Sequence, residues 1–181
     1  MPRPTTARKP AAATPRAEPL TPDEEAMWRA LAQVLTVLPR RLEADLVEAS
    51  GLTLSEYKVL VDLSEAPGRS LRMHQLVTSN LLTNSGMTRV VDRLERDGFI
   101  ERTRSADDGR GHVAVLTRAG LRRLQGAYPS HLASVRANVV DHLGTMNLRA
   151  LARALEAIAA DCASQANHAN QASQANRRGA I

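Results

Sequence analysis

Apolar residues recur at helical spacing from the first third of the chain onward. Met27, Leu31, Val34, Leu35, Leu38 and Leu42 form one stripe, which predicts a long helix. In "TPDE", Thr21 is its cap, Pro22 its first residue and Glu24 the closing residue of a capping box. Pro39 is expected to kink the helix, and Ser50-Gly51 to end it. "TLSE" repeats the capping box at Thr53 and Glu56 and opens a second helix through Val59, Leu60 and Leu63, which stops at "APG". After an extended piece at Ser70-Leu71, Met73, Leu76 and Val77 mark a brief helix. "TSNLLT" separates it from the next, a spacing suited to a helix-turn-helix. Thr83 caps that next helix. Met87, Val90, Val91 and Leu94 give it a core face, and Gly98 suits the left-handed position at its end.

The period then changes. "FIERTR" and "HVAVLT" have strand character, and the Gly-rich "ADDGRG" between them turns, so the pair reads as a β-hairpin. Thr117 caps a long helix carrying Leu121, Leu124, Tyr128, Leu132, Val135 and Val139. Asn147 opens a last one with Leu148, Leu151, Leu155 and Ile158. Residues 1–20, rich in Pro, Ala and Thr, read as a disordered basic tail. Residues 164–181, with "SQAN" twice and few large apolar side chains, read as a frayed extension or a disordered tail.

Composition narrows the class. The 181 residues, 43% of them hydrophobic, suffice for one domain with tails. No apolar run reaches the ~20 residues of a membrane span, and the N-terminus lacks an apolar signal core, so a soluble cytoplasmic protein is expected. The single cysteine, Cys162, excludes an internal disulfide and a cysteine-rich zinc site. It continues the Leu155/Ile158 stripe and reads as a small buried hydrophobe.

The net charge of +5 points to an acidic partner, and its placement is more informative than its size. The tails carry the whole excess, through Arg3, Arg8, Lys9, Arg16, Arg177 and Arg178 against Glu18. The body is neutral but polarised: residues 21–68 are acidic on balance, and the segment from Arg69 to Arg123 is basic.

Within that basic segment, one helix begins with the small polar Thr83, Asn84, Ser85 and Gly86 and carries Thr88, Arg89 and Arg93 off its apolar stripe. Small residues let the backbone approach a major groove, where arginines reach guanine edges or phosphates. A solvated surface helix is the alternative, with Asp92–Arg96 and Arg93–Asp97 as i,i+4 pairs. The hairpin tip adds Arg110 between glycines, positioned to enter a neighbouring minor groove. Asp108 is expected to orient that arginine, the alternative being a turn-forming aspartate.

The order of elements, with "SGMTRVVDRLERDGFIERTRSADDGRG" followed by "VAVLTRAG", resembles the MarR family of winged-helix transcription regulators over roughly residues 24–162. The resemblance implies a mainly α fold with a small β-hairpin wing (α+β), a winged helix-turn-helix between dimerisation helices. The domain would run over 21–163, with a DNA-binding lobe at 53–117 and dimerisation helices at 21–50 and 118–163. It implies a homodimer on a pseudo-palindromic operator in double-stranded DNA, acting as a repressor. By that resemblance Ser85, Thr88, Arg89 and Arg93 would make the helix contacts, and Asp108 and Arg110 the wing pair; Thr83 and Asn84 join the candidate DNA-binding set from the small polar first turn alone. Gly109 departs from the arginine that many relatives carry. Release by a small aromatic or phenolic ligand is implied too, although no pocket can be read from the sequence. Trp28, Tyr57 and Tyr128 are candidates for its lining, with core packing the simpler use of each.

Other readings are weaker. A metal-responsive regulator of the same fold would use His131 and His142, about three helical turns apart, but lacks a third ligand. An architectural protein would coat DNA by charge alone. No phosphate loop, nucleophile motif or carboxylate pair suggests an enzyme, and no cofactor or metal is expected.

Overall fold

The hydrophobic core gathers where the second helix meets the sheet and the helices beside it. In a computed structural model, residues 18–80, 82–104 and 112–178 are described, the stretch 165–178 by its backbone alone. The elements are α1 (Pro22–Ser50), α2 (Leu54–Glu65), β1 (Ser70–Arg72), α3 (Met73–Asn80), α4 (Asn84–Arg96), β2 (Ile100–Arg104), β3 (His112–Leu116), α5 (Arg118–Asn138) and α6 (Leu148–Arg178). The chain divides into two units at Arg40 and Arg41, within α1.

In the first unit, the capping box opens α1 as expected: Thr21 N donates to Glu24 Oε2 at 2.8 Å, and Glu24 N donates back to Thr21 Oγ1. Several of its large apolar side chains are uncovered within the chain. Met27, Val34, Leu35 and Val37 are exposed, and so is Trp28, at 54%. The expectation that Trp28 packs in a core does not hold for the single chain.

The second unit holds the core. Leu46 and Leu52 meet Tyr57, Val59, Leu60 and Leu63 of α2, Leu76 of α3, Met87, Val91 and Leu94 of α4, Ile100 of β2, Ala114 and Leu116 of β3, and Leu124 and Ala127 of α5. The stripes expected on α2 and α4 are the buried ones. At about 25 cal/mol per Å² of apolar surface, this cluster dominates the stability of the unit. The sheet has order β1-β3-β2, both pairs antiparallel, with Leu71 opposite Ala114 and Ile100 opposite Leu116. The extended piece at Ser70-Leu71 thus joins the hairpin as a third strand, and β3, central in the sheet, turns Ala114 and Leu116 inward.

Polar contacts fix the joints. Asp62 of α2 accepts from Ser79 Oγ and Asn80 Nδ2, both at 2.8 Å, and from Lys58 Nζ at 3.0 Å, tying α2 to the end of α3. Ser134 Oγ donates to Asp45 Oδ2 at 2.6 Å, joining α5 to the second half of α1. Thr117 caps α5 by accepting from Gly120 N at 3.0 Å, and its own N–H donates to Phe99 O. Gly98 ends the α4 segment with φ 73°, a left-handed conformation that glycine adopts without strain. In α6, Asn147 Oδ1 accepts from Ala150 N, and Leu155, Ile158 and Cys162 are exposed in the single chain. Cys162 is therefore not the buried hydrophobe its stripe suggests. Among the described residues no helix is long and apolar enough to cross a membrane.

Candidate nucleic-acid interface

The candidate interface is built on α4. Thr83 has extended backbone and accepts from Gly86 N at 3.1 Å, which satisfies one of the unpaired amides of the first turn. Ser85 Oγ lies 3.2 Å from the same hydroxyl, and Thr88 Oγ1 donates to Asn84 O at 2.9 Å. Met87, Val91 and Leu94 are fully buried, and this anchors the inner face. Thr83, Asn84, Ser85, Thr88, Arg89 and Arg93 consequently share the exposed side of α4. Arg89 makes no ion pair or hydrogen bond among the described residues.

The helix is braced from both flanks. Arg93 Nε lies 3.0 Å from Glu56 Oε1 of α2. On the other flank Arg102 of β2 pairs with Asp92 through Nη2, and its Nε lies 3.5 Å from Glu95 Oε2. The Arg102 amide also donates to Glu95 Oε1 at 3.2 Å. The i,i+4 pairs of a solvated helix, Asp92–Arg96 and Arg93–Asp97, are absent among the described residues; Asp92 links α4 to β2 and Arg93 links it to α2 instead. Sequence reasoning missed both partners. Glu56 was legible only as a capping residue, identical in motif to Glu24, and Arg102 only as one charge in a strand. Asp108 and Arg110 lie outside the described residues, in the segment between β2 and β3.

A second feature lies between α2 and α5. Tyr57, Val61, Leu121, Leu124, Tyr128 and His131 line a cleft of about 480 Å³, with Ser64, Glu65 and Gln125 at its polar edge. The Tyr57 and His131 rings stand 4.4 Å apart, tilted by 48°. His131 Nδ1 is buried without a hydrogen-bond partner among the described residues. Burial lowers the His131 pKa and raises that of Tyr57, the latter also through the nearby Tyr128. Tyr57 thus serves the core and the cleft together, whereas Tyr128 is half-exposed. His142 lies beyond the end of α5 in a short 3₁₀ turn, so the helical spacing that related it to His131 is not present. Among the described residues no three His, Cys, Asp or Glu side chains gather as a metal site.

The MarR family model matches residues 52–112, the stretch from the start of α2 to the first residue of β3. The HTH-type transcriptional repressor Rv2887 of Mycobacterium tuberculosis is 32% identical over 61% of this chain and 78% of its own length. Sco3205 of Streptomyces coelicolor, a MarR family transcriptional regulator solved in complex with DNA, superposes with a TM-score of 0.74 at 32% identity, covering 81% of this chain and 91% of that one. AbsC of the same organism, also a MarR family transcriptional regulator, gives 0.73 at 35% identity, covering 81% of this chain and 98% of that one.

The chain belongs to the MarR family. As a MarR family member it is a transcriptional regulator with a winged helix-turn-helix fold, and not an enzyme. α3 and α4 form the helix-turn-helix, and β2 and β3 the arms of the wing. The third strand, β1, ties the base of the MarR wing to the start of α3 through its pairing with β3.

Proposed function

We propose that this MarR family regulator is a repressor that binds a pseudo-palindromic operator in double-stranded DNA as a homodimer and is released by a small ligand. The observation that carries the reading is the division of α4. Its buried Met87/Val91/Leu94 face is fixed in the core, and its small, polar, arginine-bearing face is open. That face is shaped for a major groove, with Thr83, Asn84, Ser85 and Thr88 at the close-approach end and Arg89 and Arg93 as the cationic contacts. Asp108 and Arg110 extend the reading to the wing. The complex of Sco3205 with DNA supports it by likeness.

Exposed apolar side chains support the dimer. Met27, Trp28, Val34 and Leu35 in the first unit, and Leu132, Leu148, Leu155 and Ile158 in the second, are uncovered in a single chain. A protein whose ligand is chromosomal DNA works in the cytoplasm. The cleft between α2 and α5 is the proposed ligand site. It is mostly apolar, and among the described residues that line it Glu65 is the one carboxylate and no arginine or lysine is present. An uncharged aromatic with a hydroxyl therefore suits it better than a carboxylate, because a buried anion without a cationic partner is costly.

The test begins by selecting a duplex from a random pool with the wild-type protein. Wild type and Arg89→Ala are then titrated against that duplex and a random one at fixed salt. If Arg89 reads a base edge, its loss costs roughly 1–3 kcal/mol on the selected duplex and much less on the random one. Failure to enrich any sequence, or an equal loss on both duplexes, would instead describe an architectural binder that recognises charge.

A further inference from the structure

The chain contains one capping motif twice, TPDE at 21–24 and TLSE at 53–56, and the two copies are used differently. Glu24 closes its box on an exposed surface. Glu56 closes its box through Oε2, which accepts from Thr53 N at 2.8 Å. Its side chain, however, is only 4% exposed, and its other oxygen faces Arg93 Nε at 3.0 Å. The cap needs one acceptor at this position, and glutamine supplies it as well as glutamate. Burying a charged carboxylate adds nothing to the cap and is costly without a partner.

The partner is the informative part. Arg93 stands on the open face of α4, and its side chain is half-exposed, at 50%. A free arginine at that position would sample many rotamers and lose them on meeting DNA. Held at Nε, it keeps its two Nη groups as donors on a side chain that is already ordered.

We infer that Glu56 is a positioning residue for DNA binding: it fixes Arg93 by the Nε edge and presents the Nη end to the duplex. The inference rests on the reading that α4 contacts DNA. It also separates the two arginines of α4, since Arg89 has no such anchor among the described residues. Arg89 is an adjustable contact and Arg93 a preset one.

Charge and position predict opposite signs for one substitution. Glu56→Gln keeps an oxygen for Thr53 N, turns an amide toward Arg93 and removes a negative charge close to the DNA-facing surface. If charge alone mattered, affinity would rise. If Glu56 positions Arg93, affinity falls, by roughly tenfold for a coupling of the size seen within one hydrogen-bonded network.

The experiment is a double-mutant cycle with the full-length chain: wild type, E56Q, R93A and E56Q/R93A against the selected duplex at fixed salt, with melting temperatures recorded. The expected result is that E56Q weakens binding in the wild-type background and has no further effect once Arg93 is gone. Unchanged or tighter binding by E56Q, or additive losses in the double variant, would overturn the inference. If R93A itself binds as wild type does, the contact reading of Arg93 fails, and the positioning role fails with it. R93K provides the arm that does not depend on E56Q folding. Lysine has no separate Nε edge and Nη fork, so an ammonium held by Glu56 cannot present a fixed pair of donors to the duplex, and R93K should lose most of what R93A loses. Full affinity for R93K would count against the clamp.

Discussion

Gly120 sits in the first turn of α5, where the helix crosses the base of the wing. A Cβ built there would overlap the Phe99 carbonyl oxygen and lie 2.9 Å from Phe99 C and 2.8 Å from Leu116 Cδ1. Gly120 has no positive φ, so Gly120→Ala tests space and not backbone conformation. Phe99 O has little freedom to retreat, because it accepts from Thr117 N at 3.1 Å and follows the left-handed turn at Gly98. Overpacking costs about 1–3 kcal/mol, and the upper end applies because two of the three crowded atoms are backbone. Alanine returns about 1 kcal/mol of helix propensity, which leaves a net loss of about 2 kcal/mol. For a chain of this size that is about 4–8 °C in Tm. Gly126 is the internal control, in the same helix with nothing within 4 Å of its would-be Cβ. Gly126→Ala should gain about 1 kcal/mol, raising Tm by about 2–4 °C. Thermal unfolding of the three proteins at one concentration decides the matter, since any self-association would make Tm depend on concentration. Gly120→Ala melting at or above wild type would refute the claim that the α5–wing junction is held by this close approach.

Two further outcomes concern the cleft. The folded His131 pKa lies below its ordinary 6.5, because burial disfavours the imidazolium, so the unfolded chain binds this proton more readily. Stability linked to His131 is thus complete above about pH 7 and is lost as pH falls through about 6.5 toward the folded value. Wild type should lose more Tm than His131→Gln between about pH 7.5 and about pH 5, and parallel curves would contradict the burial argument. In a thermal-shift series, phenol should stabilise the protein more than benzoate at equal concentration. The reverse order would show that the cleft supplies a cation that its lining residues do not explain.

Local chemistry accounts for what was legible in the sequence. Thr21–Glu24, Thr53–Glu56, Thr83 and Thr117 cap helices where their motifs placed them, because a cap is decided within four residues. Met87, Val91 and Leu94 were assigned to the core by period alone, and that left the opposite face of α4 for DNA. Contacts across the chain were not legible. The pairing of β1 with β3, the Glu56–Arg93 bridge and the Asp92–Arg102–Glu95 brace join residues whose partners no local pattern names. The stripe through Leu155, Ile158 and Cys162 marked an apolar face correctly. Period cannot say whether such a face is covered by its own chain, and here it is not.

Neighbouring residues of α2 hold two different things. Glu56 holds Arg93 of α4, and Tyr57 lines the cleft beside His131. One helical turn, pinned at its start by the Thr53 cap, therefore belongs to both sites. On the proposed reading, a ligand that shifts this turn of α2 would draw the Glu56 carboxylate away from Arg93, and a duplex that fixes Arg93 would oppose the shift. Linkage would make the relation reciprocal: whatever factor the ligand took from DNA affinity, the DNA would take from ligand affinity. On that reading, the ligand concentration that empties a DNA site would exceed the one that half-saturates the free protein, by a factor set by how strongly the site is already occupied.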